Sequence, residues 1–120
     1  MYLDYYMSDS IFTKIIKREI PAEIVYEDEQ LIAFNDVAPK APVHILVVPK
    51  KQIPTINDVE DTDAELLGRI IITAAKIAKS KGIDKRGYRL IVNCNPEGGQ
   101  TVFHIHFHLI GGKQLGWSPA

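Results

Sequence analysis

Thr101-Val102-Phe103-His104-Ile105-His106-Phe107-His108-Leu109-Ile110 alternates two kinds of side chain, the pattern of a strand with two unlike faces. Successive side chains of a strand point to opposite faces. A strand from Val102 to Ile110 turns Val102, His104, His106, His108 and Ile110 one way, while Thr101, Phe103, Ile105, Phe107 and Leu109 share the other face. The second set is almost wholly apolar and needs a cover. The first lines up three imidazoles at intervals of roughly 6–7 Å, because a strand rises ~3.3 Å per residue.

The cover lies upstream. Leu66, Leu67, Ile70, Ile71, Ala74, Ala75, Ile77 and Ala78 recur at helical spacing. Thr62-Asp63-Ala64-Glu65 reads as a capping box at the start of this long helix, and Gly82 as its stop. A shorter helix is expected over Ile11-Phe12-Thr13-Lys14-Ile15-Ile16, capped by Asp9-Ser10 and ended by Pro21. Glu23-Ile24-Val25-Tyr26 and Leu31-Ile32-Ala33-Phe34 flank Glu27-Asp28-Glu29-Gln30 as a hairpin. His44 to Val48 gives a third strand closed by Pro49, and Tyr88 to Asn93 a fourth. The strands flanking Pro96-Glu97-Gly98-Gly99 are near enough in sequence to pair. The fold class expected is therefore α+β, a five-stranded antiparallel sheet with one long and one short helix.

The 120 residues fit one domain. Residues 1–9 are expected to be a mobile N-terminal extension, and residues 10–120 a single domain that includes a patternless tail over 112–120. Fourteen basic and fifteen acidic side chains leave a net charge of −1, which argues against a nucleic-acid binder. No apolar run approaches the ~18 residues needed to span a bilayer, so no membrane partner is expected. A single cysteine, Cys94, excludes an intrachain disulfide and makes the cytoplasm the expected location. Lys79, Lys81, Lys85, Arg86 and Arg89 cluster at the end of the long helix, where solvated pairing with its dipole accounts for them.

Three of the four histidines fall within five positions. Two chemistries use such a row. A metal site needs further ligands; His44 offers a third and the chain no convincing fourth. Acid/base and nucleophilic catalysis needs imidazoles that can be neutral or protonated near pH 7. The run Asn93-Cys94-Asn95-Pro96-Glu97-Gly98-Gly99-Gln100-Thr101 favours the second. Its glycines let backbone N–H groups approach an anion, and Asn93, Gln100 and Thr101 add neutral donors. A phosphate beside a nucleophilic histidine needs such donors; a metal cage does not.

His104-Ile105-His106-Phe107-His108-Leu109-Ile110 is similar to the signature of the histidine triad (HIT) superfamily, His-φ-His-φ-His-φ-φ with φ apolar. Ile11 to Ile16, Ile20-Pro21-Ala22, Phe34-Asn35-Asp36, Ala38-Pro39-Lys40-Ala41-Pro42-Val43-His44, Val48-Pro49-Lys50-Lys51 and Gly98-Gly99-Gln100-Thr101 resemble its Hint branch. So do Gly111-Gly112 and Trp117, and the bacterial Hint proteins look most similar. The resemblance covers roughly residues 10–117.

The resemblance implies a hydrolase that cleaves the P–N bond of purine nucleoside 5′-phosphoramidates through a nucleotidyl-histidine, releasing the nucleoside monophosphate. A dinucleotide-polyphosphate hydrolase, or a nucleotide-binding regulatory module with little turnover, are the alternatives. His106 would be the nucleophile, and His108 would bind phosphate and assist amine departure. His104 and His44 would form a supporting relay. Asn93, Gly99, Gln100 and Thr101 would hold the phosphate with His106 and His108. Asp36 would accept the ribose hydroxyls, although alone it reads as an Asx-turn residue. Ile11, Phe12, Ile15, Phe34, Asn35, Val37 and Leu46 would form the nucleoside pocket. The resemblance also implies a homodimer joining two sheets, no metal or other cofactor, and a tail, with Trp117, near the partner's site. Asn35 and Gln52 stand where some relatives carry histidine, and Thr101 where serine is frequent.

Overall fold

The computed structural model describes residues 9–117. The expected mobile extension, apart from Asp9, and the last three residues of the tail lie outside them.

Ser10 caps the first helix, α1 (Ile11–Ile16), its hydroxyl accepting from the Thr13 N–H at 2.9 Å. The helix stops at Arg18, not at Pro21. Arg18 adopts φ +65°, and the Arg18 and Glu19 amides close back on the carbonyls of Ile15 and Lys14 at 3.0 and 2.8 Å. These bonds complete the helix end before the proline is reached. β1 (Ile24–Glu27) and β2 (Leu31–Asn35) follow as a hairpin. One Asp28 carboxylate oxygen accepts from both the Gln30 and Leu31 amides at 2.8 Å and so fixes the turn.

β3 (Val43–Pro49), the long helix α2 (Ala64–Ser80), β4 (Tyr88–Val92) and β5 (Phe107–Gly111) complete the fold. The sheet is antiparallel throughout, in the order β1-β2-β3-β5-β4. Both faces of its centre are buried, so β2 and β3 read as almost continuous apolar runs. Leu31, Ala33, Ile45, Val47, Phe107 and Leu109 pack against Ile70, Ala74, Ile77 and Ala78 of α2. Ile32, Phe34, Leu46 and Val48 pack on the other face against Phe12 and Ile15 of α1.

Three expectations are corrected. β5 begins at Phe107, not Val102, because the preceding residues leave the ladder to form a loop. The alternation nevertheless persists: Ile105 joins the α2 core, while His104 and His106 contact Phe12 on the α1 side. The Thr62–Glu65 box does not cap α2. Asp63, at the helix start, accepts instead from the Glu60 amide at 2.9 Å and the Lys51 ammonium at 2.6 Å. The apolar stripe of α2 is also narrower than expected. Ile71 and Ala75 lie on its exposed flank, and Thr73 is buried in the contact. Gly82 ends α2 as expected, at φ +74°, with the Ile83 amide bonded to Ala78 O at 3.1 Å. Lys79 in the last turn of α2, and Lys81, Lys85 and Arg86 after it, are exposed, in keeping with a solvated cluster.

Candidate active site

The β3–β5 register sets His44 opposite Ile110 and His108 opposite Leu46, so the two imidazoles are diagonal neighbours on the α1 face. His44 Nε2 lies 3.0 Å from His108 Nδ1. His106 follows His104 on the loop before β5, and its Nδ1 lies 2.8 Å from the His104 carbonyl oxygen. The His106 and His108 rings are 5.0 Å apart. One edge of His106 packs against Phe12 at a centroid distance of 4.9 Å. The structure therefore brings all four histidines together.

Burial is the main reason that the proton affinities of His44, His104 and His106 fall below that of a free imidazole. His108 is pushed down to about 4, by burial first and then by the neighbouring His106 and His44. All four rings are thus neutral near pH 7, and their partners fix where each proton sits. The Lys40 amide donates to His44 Nδ1 at 3.0 Å, so His44 carries its proton on Nε2 and donates to His108 Nδ1. His108 then carries its proton on Nε2. The His104 carbonyl can only accept, so His106 is protonated at Nδ1, and its Nε2 keeps a lone pair. An imidazole with a free lone pair thus stands beside one that presents an N–H, a pairing suited to nucleophilic attack with a proton donor at hand.

The expected relay of His44 and His104 divides in two. His44 acts on His108, while His104 meets His106 through its backbone carbonyl rather than its ring. The His104 ring is fully buried, with Nε2 2.6 Å from Pro49 O and Nδ1 2.7 Å from Ser10 Oγ.

Asp36 forms the Asx turn, its Oδ1 accepting from the Ala38 amide at 2.8 Å. Its Oδ2 remains, 3.5 Å from His44 Nε2. Asp36, His44 and His108 each present one ligand atom within 4.8 Å of the others, a set that could hold a divalent cation. A cation there would replace the proton that His44 shares with His108.

Phe12, Ile15, Phe34 and Leu46 pack together beside His106 as core. Ile11, half exposed, and Val37, 98% exposed, stand outside that cluster. Asn35 ends β2, its amide 3.4 Å from Glu23. In the glycine loop, Gly99 adopts φ +88°, and a Cβ there would lie 3.8 Å from Asn93 Nδ2. Thr101 is exposed. Gln100 departs from expectation because its side chain is buried and committed to the loop. It accepts from the Asn95 amide at 2.8 Å and donates to the Pro54 and Val102 carbonyls at 2.7 and 3.0 Å. Its own N–H is bonded to Asn95 O at 3.0 Å. Gln100 shapes the loop and has no donor left for a phosphate. Trp117 is 94% exposed.

Sequence reading missed Ser10, Thr13 and Gln52 at this site. Ser10 was legible only as a helix cap, and nothing in sequence order joins positions 10, 52 and 104.

Residues 17–115 match the HIT domain. The chain belongs to the HIT family. The match takes in all five strands and α2 and begins just after α1. Among HIT relatives, a purine nucleoside phosphoramidase of Escherichia coli K12 is 56% identical over 108 residues, 90% of this chain and 91% of that protein. A HIT family hydrolase from Legionella pneumophila Philadelphia 1 superposes with a TM-score of 0.92 at 52% identity, covering 93% of this chain and all of that one. A histidine triad protein from Clostridium difficile gives 0.87 at 48% identity, over 91% and 95% of the two chains. No helix among the described residues of this HIT protein is long and apolar enough to cross a membrane.

Proposed function

We propose that this HIT protein hydrolyses the P–N bond of purine nucleoside 5′-phosphoramidates. The observation that carries the reading is the His106 ring, held at Nδ1 with its Nε2 lone pair free. The 56% identity to an enzyme named purine nucleoside phosphoramidase supplies the substrate class.

In this mechanism His106 Nε2 attacks the α-phosphorus. The P–N bond breaks, its electron pair leaves with the amine, and a proton reaches that nitrogen through His108 Nε2. Water then attacks the nucleotidyl-His106 and passes its proton to His108 Nε2, replacing the one delivered to the amine; the P–Nε2 bond breaks, its electron pair returns to His106, and the nucleoside monophosphate leaves. Asn93, the Gly99 backbone and Thr101 surround the phosphate with neutral donors. Asp36 Oδ2 receives the ribose hydroxyls, and the base lies against the α1 edge near Ile11 and Val37. No step of this reaction uses a metal ion. Full activity in chelator is expected, and added zinc is expected to inhibit by occupying Asp36, His44 and His108.

The protein acts as a homodimer in this reading. β4 is an edge strand, and Tyr88, Ile71 and Ile72 are exposed apolar groups that a second copy would cover. Trp117 would then lie against the partner. Cys94 is a free thiol, which suits the cytoplasm.

The decisive assay offers adenosine 5′-phosphoramidate and a diadenosine polyphosphate to the same preparation. Preference for the phosphoramidate supports the reading, preference for the polyphosphate replaces it with dinucleotide hydrolysis, and binding of AMP without turnover of either reduces the protein to a binding module.

A further inference from the structure

The nucleophile lies where the sheet is not yet in place. β5 begins at Phe107, so the ladder to β3 and β4 starts one residue after His106. What holds residues 102–106 is a different set of bonds. The Ile105 amide donates to Ile53 O at 2.7 Å, and Gln100 donates to Val102 O. The His104 ring is gripped at both nitrogens.

The second grip leads out of the triad. Pro49 O can only accept, so His104 Nε2 carries the proton, and Nδ1 of the neutral ring accepts from the Ser10 hydroxyl. Ser10 Oγ in turn accepts from the Thr13 amide at 2.9 Å. Thr13 Oγ1 donates to Gln52 Oε1 at 2.7 Å, and the Ser10 amide reaches the same oxygen at 3.2 Å. The N-terminus of α1 and Gln52, which follows β3, thus form one hydrogen-bonded clamp on His104. His104 passes the constraint on through its carbonyl, which fixes the His106 tautomer.

We infer that Ser10, Thr13 and Gln52 are positioning residues for the reaction, with Ser10 the main link to the triad, its hydroxyl 2.7 Å from His104 Nδ1 against 3.4 Å for that of Thr13. The hydroxyl that caps α1 also sets which nitrogen of the nucleophile is free. The kinetic side of the inference rests on the phosphoramidase reading; the tautomer side does not.

Three variants separate this role from simple helix capping. Ser10→Ala removes both cap and donor, Ser10→Thr restores both, and Ser10→Asp keeps a capping oxygen but cannot donate to His104 Nδ1. Gly82→Ala, at the far end of α2 with φ +74°, serves as a control that lowers stability away from the site. The readouts are kcat and KM for adenosine 5′-phosphoramidate and the ¹⁵N chemical shifts of the imidazoles in the free protein. Ser10→Ala and Ser10→Asp are expected to lower kcat about tenfold with little change in KM, as misplacement of a reacting group does. His106 in both should show a mixture of tautomers, and His104 in Ser10→Asp a gain of proton on Nδ1. Ser10→Thr and Gly82→Ala should keep the wild-type kcat and shifts. Unchanged imidazole shifts in Ser10→Asp would overturn the inference whatever the substrate proves to be. So would a Ser10→Ala protein whose melting temperature falls while kcat and shifts stay at wild-type values. If Ser10→Ala does not fold, Ser10→Asp and Gln52→Ala decide by the same shifts.

Discussion

His44 Nε2 donates to His108 Nδ1 across 3.0 Å, and this bond leaves His108 presenting an N–H, rather than a lone pair, on its other nitrogen. Replacing His44 by Ala removes the donor and lets His108 adopt either tautomer. The expected result is a fall in kcat of about 10–100-fold, within the range for disturbed acid–base groups, with KM changed little. Steady-state kinetics on the phosphoramidate checks it, and a variant with wild-type kcat would remove His44 from the mechanism.

His106→Asn keeps a polar group of similar reach but offers no nucleophile. Turnover should drop by about 10³-fold or more, the scale for removing a nucleophile, while AMP still binds. Calorimetric titration with AMP beside the activity assay distinguishes this from a folding defect. Turnover near wild type would show that another residue attacks phosphorus.

Acid should weaken both activity and fold, and the sign follows from the imidazoles. Burial lowers the proton affinity of all four, so below the ordinary value of 6.5 the unfolded chain binds protons that the folded chain refuses. The stability is whole above that value and falls as pH drops. His108 alone, pushed down to about 4, accounts for a loss of about 3 kcal/mol between those limits. Glu27, Asp28 and Asp63, whose partners hold their affinities down, extend the loss into the carboxylate range as pH falls further. Urea midpoints from pH 8 to pH 4 test this, and a flat profile would contradict it. The acid limb of the kcat/KM profile should lie below the 6.5 of a free imidazole, because burial lowers the proton affinity of His106.

Gln100→Leu should loosen the glycine loop. It strips partners from the Pro54 and Val102 carbonyls and from the Asn95 amide, at a residue already held at φ +64°. The expected destabilisation is about 2–4 kcal/mol, the scale for several polar groups left unpaired. KM should rise if the glycine loop, on losing its shape, no longer holds the phosphate as proposed. Denaturant unfolding with parallel kinetics reads both effects.

Gly111→Ala tests packing at the end of β5. A Cβ there would stand 2.8 Å from Ile83 Cδ1 and 3.2 Å from Tyr88 Cβ. Overpacking of this kind costs about 1–3 kcal/mol. A melting temperature equal to wild type would mean that Ile83 moves aside freely.

The elements were legible where local pattern and tertiary packing agree. The hairpin, β3, β4 and the body of α2 lie where apolar periodicity places them, and Gly82 stops α2 because a left-handed position was needed there. Pro21 and Thr62 misled because each is a strong local signal pre-empted by its neighbours, Arg18 and Asp63. The alternation from Val102 to Ile110 named the correct face for each histidine but not the point where the ladder begins. That point is set by partners on β3 and β4, which periodicity does not see. Within the site, the histidine row was plain in sequence. Gln100 was misread because residue type announces a donor but not whom it already serves. Gln52, and the second role of Ser10 beyond capping, were hidden because Ser10 meets His104 across 94 positions of chain and Gln52 meets Ser10 across 42.

The late start of β5 divides the molecule into parts of unequal permanence. Amides from Phe107 to Gly111 lie in a strand with neighbours on both sides and should exchange with solvent only when the whole domain opens. Residues 102–106 have no place in that ladder and are held by side chains and single loop bonds, so they are expected to open before the strand does. On warming, His106 should therefore lose its alignment before the sheet melts, and heat inactivation should precede the loss of secondary structure.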